Sequence, residues 1–530
     1  MSSLTTTRER FYLCALIAVQ VLVVLWSGRH ELSPDEARYA WAVSQSWRDM
    51  FAWLSTDNHP PLYLIFLKCW AGVFGISETG LRASNIVWAP LMTVAFFRGC
   101  RNFLTAGTAL FVTTLFCLNP LYLFICGIAK YYLAFMLVSF VATAKFQQII
   151  TKLETKERLS ISPLVGWGAM CALLLWTHYL GGILLFYFAS LLVIVARRNI
   201  IGPPLIALAL AGATFLPWVL VLLGQLQEQL SPPAFSVAQY AFKAAIRVAY
   251  TSYAFMFGTT LELGRFIVVA MGCVSALCVI AAVSLRAGRH DLNRTELTAV
   301  MIFAAGGLFG LGGAMIVMMV MLPGHPDLSM PERVSFILPH LVLLVGWLVL
   351  QIRNRVKQAA LLLYAIPCAV SLWHLLRWDE NNAWDYLVPW KEIATEVESQ
   401  PMPRVVIFDS DSFGAEGWYY LSQHADSFID HRSEREAETL GDIAAHAADA
   451  SSVVFIRSVR DGTPLESLNM TESNLQKAFG KPDREAQFVS DSGNLKVLKD
   501  FVRRTSSEQT FAHKIRVLIY HPPQAPREMQ

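Results

Sequence analysis

FYLCALIAVQVLVVLW (11–26) runs straight into SGRHELSPDEARYAWAVSQSWRDM (27–50). The first stretch, with its flanks, reaches the roughly 20 apolar residues that cross a bilayer as a helix. Arg8 and Arg10 precede it and no small-x-small cleavage site follows, so it reads as an uncleaved helix starting on the cytoplasmic side. The second stretch then lies outside the membrane and carries an acid pair, Asp35 and Glu36. A hydrated loop leading into an interfacial amphipathic helix, ARYAWAVSQSW, accounts for its aromatic and small residues. That reading leaves the acid pair unexplained. Attraction of an acid to a helix N-terminus is a second structural account.

The rest of the chain shares this character. Of 530 residues, 55% are hydrophobic and 16% charged, and mean hydropathy is +0.43. A soluble protein of this size carries more polar surface. The net charge is only +3, and Lys and Arg cluster beside apolar runs. That is a topology signal and not a nucleic-acid footprint, so no nucleic-acid partner is expected. All nine cysteines lie in apolar segments, the last at Cys368, with no zinc-site spacing.

Candidate membrane segments run near 11–27, 61–77, 83–98, 103–122, 127–147, 163–177, 179–196, 203–222, 265–285, 296–321, 334–351 and 358–376, with a weaker one near 245–259. Lys145, Lys152, Lys156 and Arg158 mark one cytoplasmic loop, Arg197 and Arg198 the next, then Arg286 and Arg289, then Arg353, Arg355 and Lys357. Their alternation puts the chain after 376 outside the cytoplasm. With Arg98 and Arg101 also inside, only one of 61–77 and 83–98 crosses; 61–77, which contains Lys68, is then interfacial or re-entrant. The count is 11 to 13 helices. Residues 1–378 form a membrane domain with its first extracytoplasmic loop at 28–60. Residues 379–530 turn polar, with short strands RVVIF (404–408), SVVFI (452–456) and IRVLIY (515–520) and helical stretches such as AEGWYYLSQ. They predict a small extracytoplasmic α/β domain with a mainly parallel sheet.

In this topology the polar constellations gather on the outer face. They are Asp35-Glu36-Ala37-Arg38-Tyr39, Asp57-Asn58-His59-Pro60-Pro61-Leu62-Tyr63, Ala129-Lys130-Tyr131-Tyr132, Thr177-His178-Tyr179 and Pro331-Glu332-Arg333. Each has a structural explanation. Prolines stiffen a helix start, and a cation at a helix end snorkels to the interface. Their joint placement on one face is harder to explain that way.

PDEARYAWAVSQSW, DNHPPLYLIFLKCWAGVFGISETGLRASNIV, NPLYLFICGIAKYYLAFML, THYLGGILLF and ERVSFILPHLVLL occur in the order seen in polyprenyl-phosphate-sugar-dependent glycosyltransferases of the C-type membrane fold. That family includes protein O-mannosyltransferases and lipid A aminoarabinose transferases, and the resemblance covers roughly residues 10–350. It implies an enzyme of the cytoplasmic (inner) membrane, active at its outer face, whose partners are a polyprenyl-phosphate-linked sugar, membrane lipids and a lipid, glycan or protein acceptor. An acceptor hydroxyl would attack the anomeric carbon with inversion while polyprenyl phosphate leaves. Asp35 matches the family's first-loop catalytic aspartate and would be the general base, with Glu36 supporting or orienting it. Arg38, Lys130 and Arg333 would meet the leaving phosphate. Tyr39, His59, Tyr63, Tyr132, His178 and Tyr179 would line the sugar and phosphate pocket.

Two departures stand out. Gly127-Ile128-Ala129-Lys130 occupies the place where relatives often carry Gln-Glu-Ala-Arg, so a second acid is missing there, and Val334 replaces a common aromatic. No cofactor is expected, a divalent metal included. Asp409-Ser410-Asp411 after a strand imitates a nucleotide-sugar D-x-D motif, but acids at strand ends also form turns. A transporter or flippase of lipid-linked sugar is the alternative. It would place charged residues and broken helices near the midplane. A third reading makes the membrane part an anchor for 379–530.

Overall fold

A computed structural model describes residues 6–57, 59–155, 157, 159–195, 202–229, 248–260, 294–321, 331–350, 354–377, 388–409, 414–431, 450–460, 470–490 and 513–522. The expected segment 265–285 and both Ser410 and Asp411 lie outside the described residues. The chain divides into two compact units. One comprises Met1–Arg29, Gln45–Leu261 and Arg265–Arg377; the other comprises His30–Ser44, Glu262–Gly264 and Trp378–Gln530. The chain opens with α1 (Thr7–Ser27) in the first unit and α2 (Pro34–Ser44) in the second. The loop 28–60 is thus split between the two units.

The first unit is helical. Its start is a capping box: Thr6 Oγ1 accepts from Glu9 N–H at 3.3 Å, and the Glu9 carboxylate accepts from Thr6 N–H at 2.8 Å. It continues with α3 (Trp47–Leu54), α4 (Leu62–Phe74), α5 (Glu78–Arg82), α6 (Asn85–Arg101), α7 (Ala106–Cys117), α8 (Pro120–Cys126), α9 (Tyr132–Glu154), α10 (Ile161–Thr177), α11 (Gly181–Val195), α12 (Gly202–Thr214) and α13 (Leu216–Gln229). Helical segments 248–257, Arg294–Met321, Leu338–Leu350 and Asn354–Arg377 follow, the third led in by a 3-10 turn at Pro331–Ile337. Among the described residues four helices are long and apolar enough to cross a membrane, and up to six if each of two bent pairs is one span. The protein is a multi-pass membrane protein.

Three expectations need correction. ARYAWAVSQSW is not one helix: the chain breaks after Ser44, and Ser46, in extended backbone, caps α3 by accepting from Asp49 N–H at 3.2 Å. The span expected at 103–122 is α7 and α8 at 63°, because Asn119 caps a new helix and Pro120 opens it. The span expected at 203–222 is α12 and α13 at 59°, with Pro217 just inside the second helix. Of the segment 61–77, only 13 residues are helical. At 1.5 Å per residue α4 is about 20 Å long, short of the roughly 30 Å hydrocarbon core. Lys68 does not face lipid alone; its Nζ reaches Gln45 O at 2.5 Å and lies 5.1 Å from the Trp47 ring centroid.

Packing inside the unit is aromatic. Phe96 stacks on Phe116 at 4.5 Å and meets Phe140 at 4.9 Å. Gly99 makes this approach of α6 to α9 feasible, since a Cβ there would stand 2.6 Å from the Phe140 ring. Gln20 Nε2 donates to Thr93 Oγ1 at 2.8 Å, a polar tie between α1 and α6 of the kind that joins helices in lipid.

The second unit centres on a five-stranded sheet, β1 (Arg404–Asp409), β2 (Ser427–His431), β3 (Ser452–Arg460), β4 (Arg484–Ser490) and β5 (His513–Tyr520), in the order β2-β1-β3-β5-β4. β1 pairs in parallel with β2 and β3, whereas β5 runs antiparallel to β3 and β4. The sheet is mixed, a correction to the mainly parallel expectation. RVVIF and SVVFI are continuously apolar because both faces are covered. Val406, Phe408, Val454 and Ile456 pack with Trp390, Ile393, Tyr420 and Leu421, while Val405, Ile407, Val453 and Phe455 pack with Leu475 and Leu518.

Candidate active site

In the helical unit, four of the expected site residues converge on an aromatic side chain outside the expected set, Tyr131. His59 sits in the short connection before the two prolines that open α4. Its Nδ1–H donates to Asp57 Oδ2 at 2.8 Å, and its ring centroid lies 5.0 Å from that of Tyr131. Lys130 sits on the turn between α8 and α9. Asn85 fixes that turn, its Nδ2 donating to Cys126 O at 3.0 Å and to Ile128 O at 2.6 Å. Lys130 is 3% exposed, and its ammonium lies 5.7 Å from the Tyr131 centroid and 5.3 Å from that of Tyr132, within cation–π range.

His178 ends α10 in extended backbone, φ −160° and ψ 141°, outside both flanking helices. Its ring lies 4.5 Å from Tyr131, 5.1 Å from Phe135 and 5.5 Å from His59. Leu180 N–H donates to His178 Nδ1 at 3.1 Å. Nδ1 therefore carries no proton, and the neutral ring holds its proton on Nε2. Burial first, then His59, Lys130 and Arg333, hold the imidazole well below its usual pKa. Arg333 comes from the 3-10 turn, which Ser139 ties to α9 by donating to Phe336 O at 2.9 Å. The cluster is a cationic, aromatic group with one imidazole donor, the His178 Nε2–H, suited to an anionic oxygen ligand.

Two expected residues take other places. Tyr63 is buried beside Phe66, ring centroids 6.1 Å apart. The Tyr179 hydroxyl donates to Gln225 Oε1 at 2.7 Å and accepts from Trp218 Nε1 at 2.9 Å, while Gln225 Nε2 donates to Leu54 O at 2.8 Å. Tyr179 braces α13 against the end of α3.

The acid pair belongs to the sheet unit. Ser33 and Glu36 form a capping box at the start of α2: Ser33 N–H donates to Glu36 Oε2 at 3.0 Å and Glu36 N–H to Ser33 Oγ at 3.3 Å. Glu36 is 1% exposed, so its carboxylate serves the helix start. Asp35 is half-buried, Arg38 exposed and Tyr39 buried. Leu32 N–H donates to Tyr420 Oη at 2.6 Å, and Lys391 N–H to Glu31 Oε1 at 2.7 Å. The first bond ties the start of α2 to the helix Gly414–Leu421, whose first turn carries Glu416, and the second ties it to the helix Trp390–Glu398. Burial pushes the Glu416 carboxyl up to about 8; Arg38 opposes that rise and Asp35 adds to it. Sequence reading placed AEGWYYLSQ on a helix and missed this acid. The one available signal was a single carboxylate in an otherwise apolar run.

Asp409, the first acid of the D-x-D imitation, stands opposite Arg457 in the β1–β3 register, with Arg457 Nε 3.8 Å from its Oδ2. Arg457, Glu472, Arg516 and Glu485 extend the charge chain, with Arg516 Nη1 2.8 Å from the buried Glu472. Among the described residues no three His, Cys, Asp or Glu side chains are grouped so that they could hold a metal ion.

No protein-family model and no curated protein matches the sequence. The fold, however, is that of the C-type membrane glycosyltransferases. It is similar to ArnT from Cupriavidus metallidurans bound to undecaprenyl phosphate, with a TM-score of 0.50 over 95% of this chain and 97% of that one. The apo state of ArnT gives a TM-score of 0.54 over 96% and 98%, and sequence identity is 12% in both comparisons.

Proposed function

We propose that the protein transfers a sugar, with inversion, from a polyprenyl-phosphate donor to a hydroxyl or phosphate acceptor at the outer face of the cytoplasmic membrane. The acceptor belongs to lipid A, another cell-envelope glycan or a protein. The observation that carries this reading is the convergence of His59, Lys130, Tyr132 and His178 around Tyr131, with Arg333 acting electrostatically on His178, a group whose chemistry fits a phosphate. In the reaction the acceptor oxygen bonds to the anomeric carbon as the bond from that carbon to the phosphate oxygen breaks. Asp35 takes the acceptor proton when the acceptor is a hydroxyl. Lys130 and Arg333 offset the charge that builds on the departing phosphate, and the His178 Nε2–H donates to it. The structural likeness to ArnT supports a donor of this class, since that protein was crystallised with undecaprenyl phosphate.

The test is a transfer assay in native membranes carrying wild type or Asp35→Asn, with mass analysis of lipid A, glycan and protein fractions. One sugar should disappear from one fraction in the mutant. Full transfer by Asp35→Asn rules Asp35 out as the base. Movement of lipid-linked sugar across the bilayer without transfer would instead indicate a transporter.

A further inference from the structure

Glu416 has no part in the reaction described above, yet it is an acid only 2% exposed. Its position is tightly set. Gly417 lies so close to β1 that a Cβ would stand 2.6 Å from the Phe408 ring. Tyr420, four residues after Glu416 and so on the same helix face, stacks parallel to Trp390 at 6.3 Å and accepts from Leu32 N–H. This seating turns Glu416 toward α2. The elements packed on this helix are α2 with Asp35, Glu36 and Arg38, the helix Trp390–Glu398 with Lys391, Glu392, Glu396 and Glu398, β1 with Arg404 and Asp409, β2 with Asp430, and the 3-10 turn Ser422–His424 with His424. Among the described residues, Arg38 and Asp35 are the charged groups that act on the Glu416 carboxyl, the first favouring its anion and the second opposing it.

We propose that Glu416 is a positioning residue through which the C-terminal unit sets the orientation and charge of Asp35, acting by way of Arg38. The proposal rests on Asp35 being the base. As a neutral acid, Glu416 adds no charge beside Asp35 and leaves Arg38 to act on the aspartate. As an anion it competes for Arg38 and sets a second negative charge beside the base. The change from one state to the other falls near pH 8.

The coupling can be read without knowing the sugar. Infrared titration of the purified full-length protein should show a carboxylic-acid C=O band at neutral pH that is absent from Glu416→Gln. Its midpoint should fall in Asp35→Asn and rise in Arg38→Gln. A band that neither substitution moves overturns the coupling, whatever the protein's activity. The kinetic arm uses polyprenyl-phosphate sugars extracted from the host membranes as donor and the lipid, glycan and protein fractions of the same membranes as acceptor, and measures released polyprenyl phosphate. Wild-type kcat should drop about five- to tenfold from pH 7 to 9 with KM steady, while Glu416→Gln stays flat and Glu416→Asp restores the slope. Identical profiles in wild type and Glu416→Gln overturn the positioning role. If Asp35→Asn keeps full transfer while the infrared shifts appear, the failure lies in the assignment of the base, and the positioning role falls with it.

Discussion

His59 Nδ1 and Asp57 Oδ2 are 2.8 Å apart, so the carboxylate fixes the plane of the imidazole that faces Tyr131 and His178. Replacing the orienting partner should cost less than removing the ring. Asp57→Asn is expected to slow transfer about tenfold and His59→Ala about a hundredfold, as for partners and ligands elsewhere. The double mutant should be no slower than His59→Ala. Losses that multiply would show that the two residues act independently.

Lys130 offers a buried positive charge on a turn held by Asn85. Lys130→Met should weaken binding of undecaprenyl phosphate to the protein in nanodiscs by about tenfold or more, since charge-assisted contacts are the strong ones. Lys130→Arg should recover most of it. Unchanged binding in Lys130→Met would remove this residue from the donor site.

Tyr179 is predicted to be a brace. Tyr179→Phe strands Gln225 Oε1 and Trp218 Nε1 and should cost about 1–3 kcal/mol of stability. Transfer per folded molecule should stay within about twofold of wild type, as for a change away from the chemistry. A large loss of kcat with an unshifted Tm would return Tyr179 to the sugar pocket.

Glu416 also predicts how stability depends on pH. Its folded pKa, about 8, lies above the ordinary carboxyl value of 4.5. Between those values the folded protein holds a proton that the unfolded chain has released, so stability falls as pH rises through that window. Below it the acid is neutral in both states, and above it the full penalty is present. That penalty is at most roughly 5 kcal/mol. Glu416→Gln should therefore raise Tm at pH 8 and leave it nearly unchanged at pH 4. Parallel Tm–pH curves for the two proteins would contradict the raised value.

The apolar content of 11–26 and 127–147 made α1 and α9 legible, because lipid leaves the backbone of a span no other partner than itself. Breaks were harder to see. Asn119-Pro120 and Phe215-Leu216-Pro217 lie inside apolar runs whose composition alone suggests single spans. Local capping and the missing N–H of proline bend them by 63° and 59°. The continuous strands 404–408 and 452–456 were readable, but strand direction depends on how the chain returns, which composition does not encode. Of the candidate site, the motifs supplied His59, Lys130, His178 and Arg333. The neighbours of each were not legible: α2, which carries Asp35, packs on the helix Gly414–Leu421 some 380 residues later in the chain, and Leu32 and Tyr420 bond across 388 positions.

That separation has a consequence for biosynthesis. α2 emerges from the ribosome long before the helix that covers it. At translation rates of about 5–20 residues per second the wait is on the order of 20–80 seconds. Throughout it Ala37, Tyr39, Ala40 and Val43, buried in the folded protein, lack the cover of the helix Gly414–Leu421. A chain stopped before residue 414 never supplies that cover. Truncation therefore leaves the Asp35 helix unfinished as well as removing a domain, and a nascent chain needs a holding factor, or the membrane surface, to keep 30–44 from pairing wrongly until synthesis ends.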